Sequence, residues 1–98
     1  MYFITTVYPS DRFPGDVGSR CVGYYATEQD AVNTVIHNSC DLNEAGYYPY
    51  AVIENIEEGI YQYDTTPTWL KYNQETDEYV KSDRPDFIPN NHVGFGIG

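Results

Sequence analysis

The chain has 98 residues, 15 Asp or Glu against 5 Lys or Arg, a net charge of −10, and 11 tyrosines. That length suits a single domain over residues 1–98, able to bury somewhat over about 60% of its unfolded surface, and the ordinary apolar content speaks against disorder. So acidic a balance excludes direct binding to nucleic acid or anionic membranes, which depends on Lys and Arg displacing counterions from phosphates.

Residues 2–8, YFITTVY, alternate in the manner of a strand with both faces at least partly covered. PSDRFPGDVGS, with two prolines and two glycines, predicts a loop. CVGYYA, 21–26, predicts a second strand. Thr27 with Asp30 three positions on forms a capping box, and Ala31, Val32, Val35 and Ile36 follow at helical spacing, so a short helix is expected over Glu28–Asn38. After an acidic loop at 41–46, YYPYAVIENI reads as a strand, and Glu57, Glu58 and Gly59 turn it into a further strand, IYQYD. TWLKYN and EYVKS, joined by the polar NQETDE, predict a hairpin over 68–82. Prolines 85 and 89 keep the next segment irregular, and HVGFGIG adds a last short strand. The expected fold is α+β: a largely antiparallel sheet of five or six strands with one helix packed on it.

Nothing resembles a secretory signal in MYFITTVYPSDR, and no apolar run approaches the roughly 20 residues of a bilayer span, so a cytoplasmic location is expected. In that reducing setting Cys21 and Cys40 are expected to be buried thiols rather than a disulfide.

Several motifs touch on chemistry without completing it. Asp41-Leu-Asn43-Glu-Ala45-Gly46 begins like a calcium loop, but the fifth position is Ala45 and the twelfth Val52, so two defining ligands are missing. A looser divalent-ion site would draw on Asp41, Glu44 and Glu54, with a solvated loop as the plainer reading. His37 and Cys40 are three apart, and Cys21 with His92 would complete four zinc ligands, yet those two stand alone in sequence where zinc sites show paired clusters. Cys40 near His37 is the one local nucleophile candidate and carries no family signature. Glu54, between Ile53 and Ile56 on an apolar strand, is expected to be partly buried and to share a face with Tyr48, Tyr50 and Val52. Gly94-Phe-Gly96-Ile-Gly98 has no helix after it to hold a phosphate. With no assembled site, the expectation is a protein without catalytic residues, cofactor or metal.

The tyrosines remain. Most suit sheet packing, since Tyr has high strand propensity and cross-strand aromatic pairs stabilise sheets. An aromatic-lined hollow would also stack a nucleobase. Such a pocket would use Tyr24, Tyr25, Tyr48 and Tyr50 as rings, Arg20 as the cation for phosphate, and Asn38, Asp41 or Glu54 for base or ribose edges. The charge pattern supports an alternative. Residues 21–70 carry eight carboxylates and neither Lys nor Arg, an acidic stretch suited to a basic groove on another protein. Its contacts would be Glu44, Glu54, Glu57, Glu58 and Asp64.

RCVGYYATEQDA at 20–31, NSCDLNEAGYYPYAVIE at 38–54, GIYQYD at 59–64, WLKY at 69–72 and the terminal FGIG resemble a set of small, acidic, uncharacterised proteins of gut Firmicutes and their prophages. The likeness covers most of the chain but not the loop at 9–19 or the turn at 73–78. No activity attaches to that set, so it transfers no residue role. It implies a phage or mobile-element protein in the host cytoplasm. In that setting three functions are expected in turn: an anti-defence binder that sequesters a nucleotide-like signal, an acidic nucleic-acid mimic that inhibits a host nuclease or other basic-groove protein, or a homo-oligomeric phage accessory protein joined through Tyr-rich strand edges.

Overall fold

A computed structural model describes residues 1–9, 17–44, 48–56 and 67–85. Within them the chain forms β1 (Tyr2–Pro9), β2 (Val17–Tyr25), α1 (Glu28–Ile36), β3 (Tyr50–Asn55), β4 (Thr68–Asn73) and β5 (Glu78–Ser82). The five strands make one antiparallel sheet in the order β2-β1-β3-β4-β5, with α1 packed against it: an α+β domain, as expected. The expected strand Ile60–Asp64, the turn Glu57–Gly59 and the final strand HVGFGIG lie outside the described residues.

Local signals placed most of the boundaries. Thr27 caps α1, its hydroxyl accepting from the Asp30 backbone N–H, and Glu28 and Asp30 sit favourably against the positive end of the helix. The helix stops two residues earlier than its pattern suggested. His37 is its C-cap, and Asn38 takes a left-handed φ of 48° that no helix continues through. β3 begins at Tyr50 rather than Tyr47, because Pro49 has no N–H to give a ladder; its carbonyl still accepts from the Tyr72 N–H at 2.8 Å. β2 starts at Val17 instead of Cys21. There tertiary pairing overrides the weak strand propensity of Gly18 and Ser19, which lie opposite Tyr8 and Val7 of β1.

Registers assign the faces, because residues directly opposite one another in an antiparallel ladder point the same way. Ile4, Ala51, Ile53, Leu70 and Tyr79 face α1 and close over Ala31, Val32 and Val35. Val7, Val52 and Trp69 form a second buried cluster on the opposite face, with Tyr50 against it. Four consecutive residues of β3, Ala51–Glu54, are therefore buried, which is why this strand reads as a nearly continuous apolar run. Each fully buried Val, Leu or Ile contributes about 1.5–3 kcal/mol relative to exposure, and both faces of the central strands draw on that gain.

Candidate functional site

An open groove runs between the edge strand β2 and the turns that follow α1. Two irregularities create it. In β2 the register with β1 shifts: Ile4 faces Gly23 and Thr5 faces Cys21, leaving Val22 as an extra residue packed toward the helix-side core. Across from it, residues 37–44 form a chain of tight turns. Asn38 N–H donates to Val35 O at 2.9 Å, Asp41 N–H to Asn38 O at 3.0 Å, and Glu44 N–H to Asp41 O at 3.0 Å. Asn38, Cys40, Asp41 and Glu44 all have positive φ, between 48° and 56°. Left-handed backbone at residues with a Cβ is uncommon and costs energy, so four within seven positions require surrounding support. The Asn38 side chain supplies some of it, its Oδ1 accepting from the Asn43 N–H at 3.0 Å, and Asn43 O accepts from Tyr48 N–H.

The groove has two adjoining compartments that share Val22, Cys40 and Leu42. One, of about 300 Å³, is mainly apolar and is walled by Ile4, Val22, Tyr25 and Leu42; Tyr24 borders it, but its ring lies against Phe3 on the sheet face away from α1. The other, of about 580 Å³, is mixed in polarity, with Arg20, Asp41 and Glu44 lining it beside Val22 and Leu42. Both sizes lie in the range of small-molecule sites. Tyr24 and Tyr25 are 58% and 38% exposed. Arg20 donates from Nη1 to Glu44 Oε2 at 2.9 Å, with the two side chains 61% and 42% exposed. Behind them the Tyr8 and Tyr48 rings meet edge to face at 5.5 Å, and a Cβ on Gly18 would fall 1.9 Å from the Tyr8 ring, so that ring lies directly on the glycine. Burial raises the Tyr48 hydroxyl above its ordinary pKa, with Glu44 adding and Arg20 opposing. This phenol stays neutral.

Compared with known proteins, the chain matches no family model, no curated protein and no solved structure. The groove is therefore read from its own residues.

Arg20, Tyr25 and Asp41 of the expected pocket come together here, and Tyr24 adjoins them at the strand edge with its ring turned to the Phe3 face. The other four do not join them as contacts. Asn38 is engaged in its turn, and Tyr48 is buried, its carbonyl accepting from Tyr79 Oη at 2.7 Å. Tyr50 and Glu54 alternate with the groove-side residues of β3 and point to the opposite face, opposite Val7 and Phe3. Glu54 does share that face with Tyr50 and Val52, as alternation predicted, but Tyr48 precedes the strand and packs with Tyr8 instead.

Two further expectations are corrected. Cys21 and Cys40 are exposed free thiols, one on an edge strand and one on a left-handed turn, where neither position offers an apolar enclosure. Glu54 is 1% exposed and faces away from the groove, so it joins neither Asp41 and Glu44 around an ion nor a surface for a basic partner. Glu57, Glu58, Asp64 and His92 lie outside the described residues. Among the described residues no three His, Cys, Asp or Glu side chains gather as metal ligands, and no helix is long and apolar enough to cross a membrane. His37 instead approaches Glu78, Nδ1 to Oε2 at 3.6 Å.

Val22, Leu42 and Cys40 line the groove without having been expected there. An apolar residue at a bulge and a leucine inside an acidic loop carry no local mark of a site; the nearest signal was the Asn-Ser-Cys-Asp-Leu-Asn run, too polar for a regular element directly after a helix.

Proposed function

We propose that the protein is a non-enzymatic binder that sequesters a nucleotide-like small molecule in the groove beside β2. The observation that carries this reading is the adjacency of a mainly apolar compartment bordered by Tyr25 to a mixed one whose cation is Arg20. A base would stack or pack in the first, and a phosphate would meet the guanidinium in the second. Pre-set turns at 38–44 support binding without large rearrangement, since backbone held in costly conformations is a recurring property of ligand clamps. In the phage context implied by the resemblance, such a binder would act by removing a nucleotide signal of host defence.

The inhibitor alternative finds less support. Glu54 is enclosed in the fold, which takes one of its five contacts away from a protein partner.

Native mass spectrometry of the purified protein with a panel of cyclic and linear nucleotides tests the proposal. A stoichiometric adduct that disappears in Arg20→Ala is the expected result. A clean unliganded mass with every nucleotide sinks it and directs attention to the acidic surface, where charge reversal of Glu57 and Glu58 becomes the informative change.

A further inference from the structure

Resting on that reading, we propose that the groove selects singly charged phosphodiesters, cyclic or internucleotide, over phosphomonoesters and polyphosphates, and that Glu44 is the residue that selects. The mixed compartment is not a simple anion hole. Arg20 already holds the Glu44 carboxylate at 2.9 Å, and Asp41 lines the same compartment, which therefore carries two negative charges and one positive. An incoming phosphate competes with Glu44 for the guanidinium and engages Nη1 only by displacing it. That exchange is feasible because both partners are largely exposed, and exposed ion pairs are weak.

Charge then decides which phosphates gain from it. A phosphodiester brings one negative charge and replaces one on Arg20. A monoester carries close to two at neutral pH, since its second proton leaves near pH 6, and a triphosphate carries more. The excess lies beside Asp41 and the displaced Glu44, which remains tethered nearby, and within the field of a chain whose net charge is −10. A diester also exposes no terminal phosphate dianion to that rim.

Isothermal titration calorimetry of the full chain at pH 8 and low ionic strength, with 3′,5′-cyclic AMP, AMP and ATP, reads this directly because the three share a base. Cyclic AMP is expected to bind about ten-fold more tightly than AMP, with ATP weakest, and added salt should narrow the gap by screening the rim charges. Glu44→Gln, an exposed substitution whose fold is checked by circular dichroism, should improve AMP and ATP several-fold more than cyclic AMP. AMP or ATP binding as tightly as cyclic AMP, in an Arg20-dependent way, overturns the selectivity and leaves the nucleotide reading standing. An unchanged ratio in Glu44→Gln overturns Glu44 as the selector. Failure of all three to bind either the wild type or Glu44→Gln removes the nucleotide reading and the selectivity with it.

Discussion

Tyr24 and Tyr25 on the edge strand β2 and Tyr79 on the opposite edge strand β5, with Tyr72 of β4 beside it, are the same residue put to opposite uses. Tyr79 lies in the helix-side core with its hydroxyl on the Tyr48 carbonyl at 2.7 Å. Tyr72 packs edge to face on it at 5.4 Å and donates to the Asp77 carboxylate. At the far edge Tyr24 is mostly in solvent, with one ring contact to Phe3 at 5.3 Å, and Tyr25 is partly so, beside the groove. The difference comes from what lies above each edge. α1 touches both edge strands, and beside β5 a large ring with a polar tip fills the space and finds an acceptor. Over β2 the bulge and the left-handed turns leave an open groove with the Tyr25 ring beside it, while the Tyr24 ring stays exposed on the other face. A dense cluster of tyrosines is thus two populations, sorted by position in the sheet.

The sharpest way to break this comparison is to remove a ring from each edge. Tyr79→Ala should cost about 3–5 kcal/mol in urea-monitored unfolding, the range for deleting a large aromatic from a core. Tyr25→Ala should leave stability nearly intact but weaken nucleotide binding by about 1–3 kcal/mol, the value of one stacked base, as read by calorimetry. A large stability loss in Tyr25→Ala would mean that the β2 edge is core after all.

Tyr79→Phe refines the contrast by keeping the ring and deleting the donor, at an expected cost of about 1 kcal/mol. It also has a pH signature. Burial pushes the Tyr79 hydroxyl well above its ordinary value, and the hydrogen bond to Asp77, followed by burial, raises Tyr72. The unfolded chain releases these protons first, near pH 10, so above that pH the folded state binds more protons and stability falls as pH rises. Below it both states are protonated and the contribution is complete. Denaturant midpoints measured from pH 8 to 11 should therefore drop at the alkaline end, and less in Tyr79→Phe than in the wild type.

The smallest effect is expected at the centre of the sheet. Thr5 is buried on the face away from α1, and its Oγ1 has no hydrogen-bond partner among the described residues. Thr5→Val keeps the shape and removes the unpaired hydroxyl, so it should be neutral or stabilising by up to about 1 kcal/mol in thermal unfolding. A clear loss would show that the hydroxyl is engaged.

Much of the architecture was legible because its causes are local. The Thr27–Asp30 cap, the alternation in β1 and the 68–82 hairpin are written in adjacent residues, and each element formed where its pattern lay. Within the candidate site only part was legible. Arg20 and the Tyr24-Tyr25 pair stood out as a lone cation beside two rings, and the groove includes Arg20 and Tyr25 while alternation turns the Tyr24 ring to the other face. Glu54 and Tyr50 were assigned to the same pocket because strand alternation says which residues share a face but not which face the pocket occupies. Glu44 was placed on a partner surface because nothing in a linear chain announces an ion pair between residues 24 positions apart.

By itself, then, the sequence determined that this chain makes one acidic α+β domain with a capped helix on an antiparallel sheet, since capping, alternation and turn chemistry act over a few residues. Only the tertiary structure decided which tyrosines are core and which are open, that both cysteines are exposed, and that Arg20 meets Glu44 at the rim of a groove. Those outcomes depend on register, on one bulge and on four left-handed residues, and each is set by contacts between segments distant in the chain.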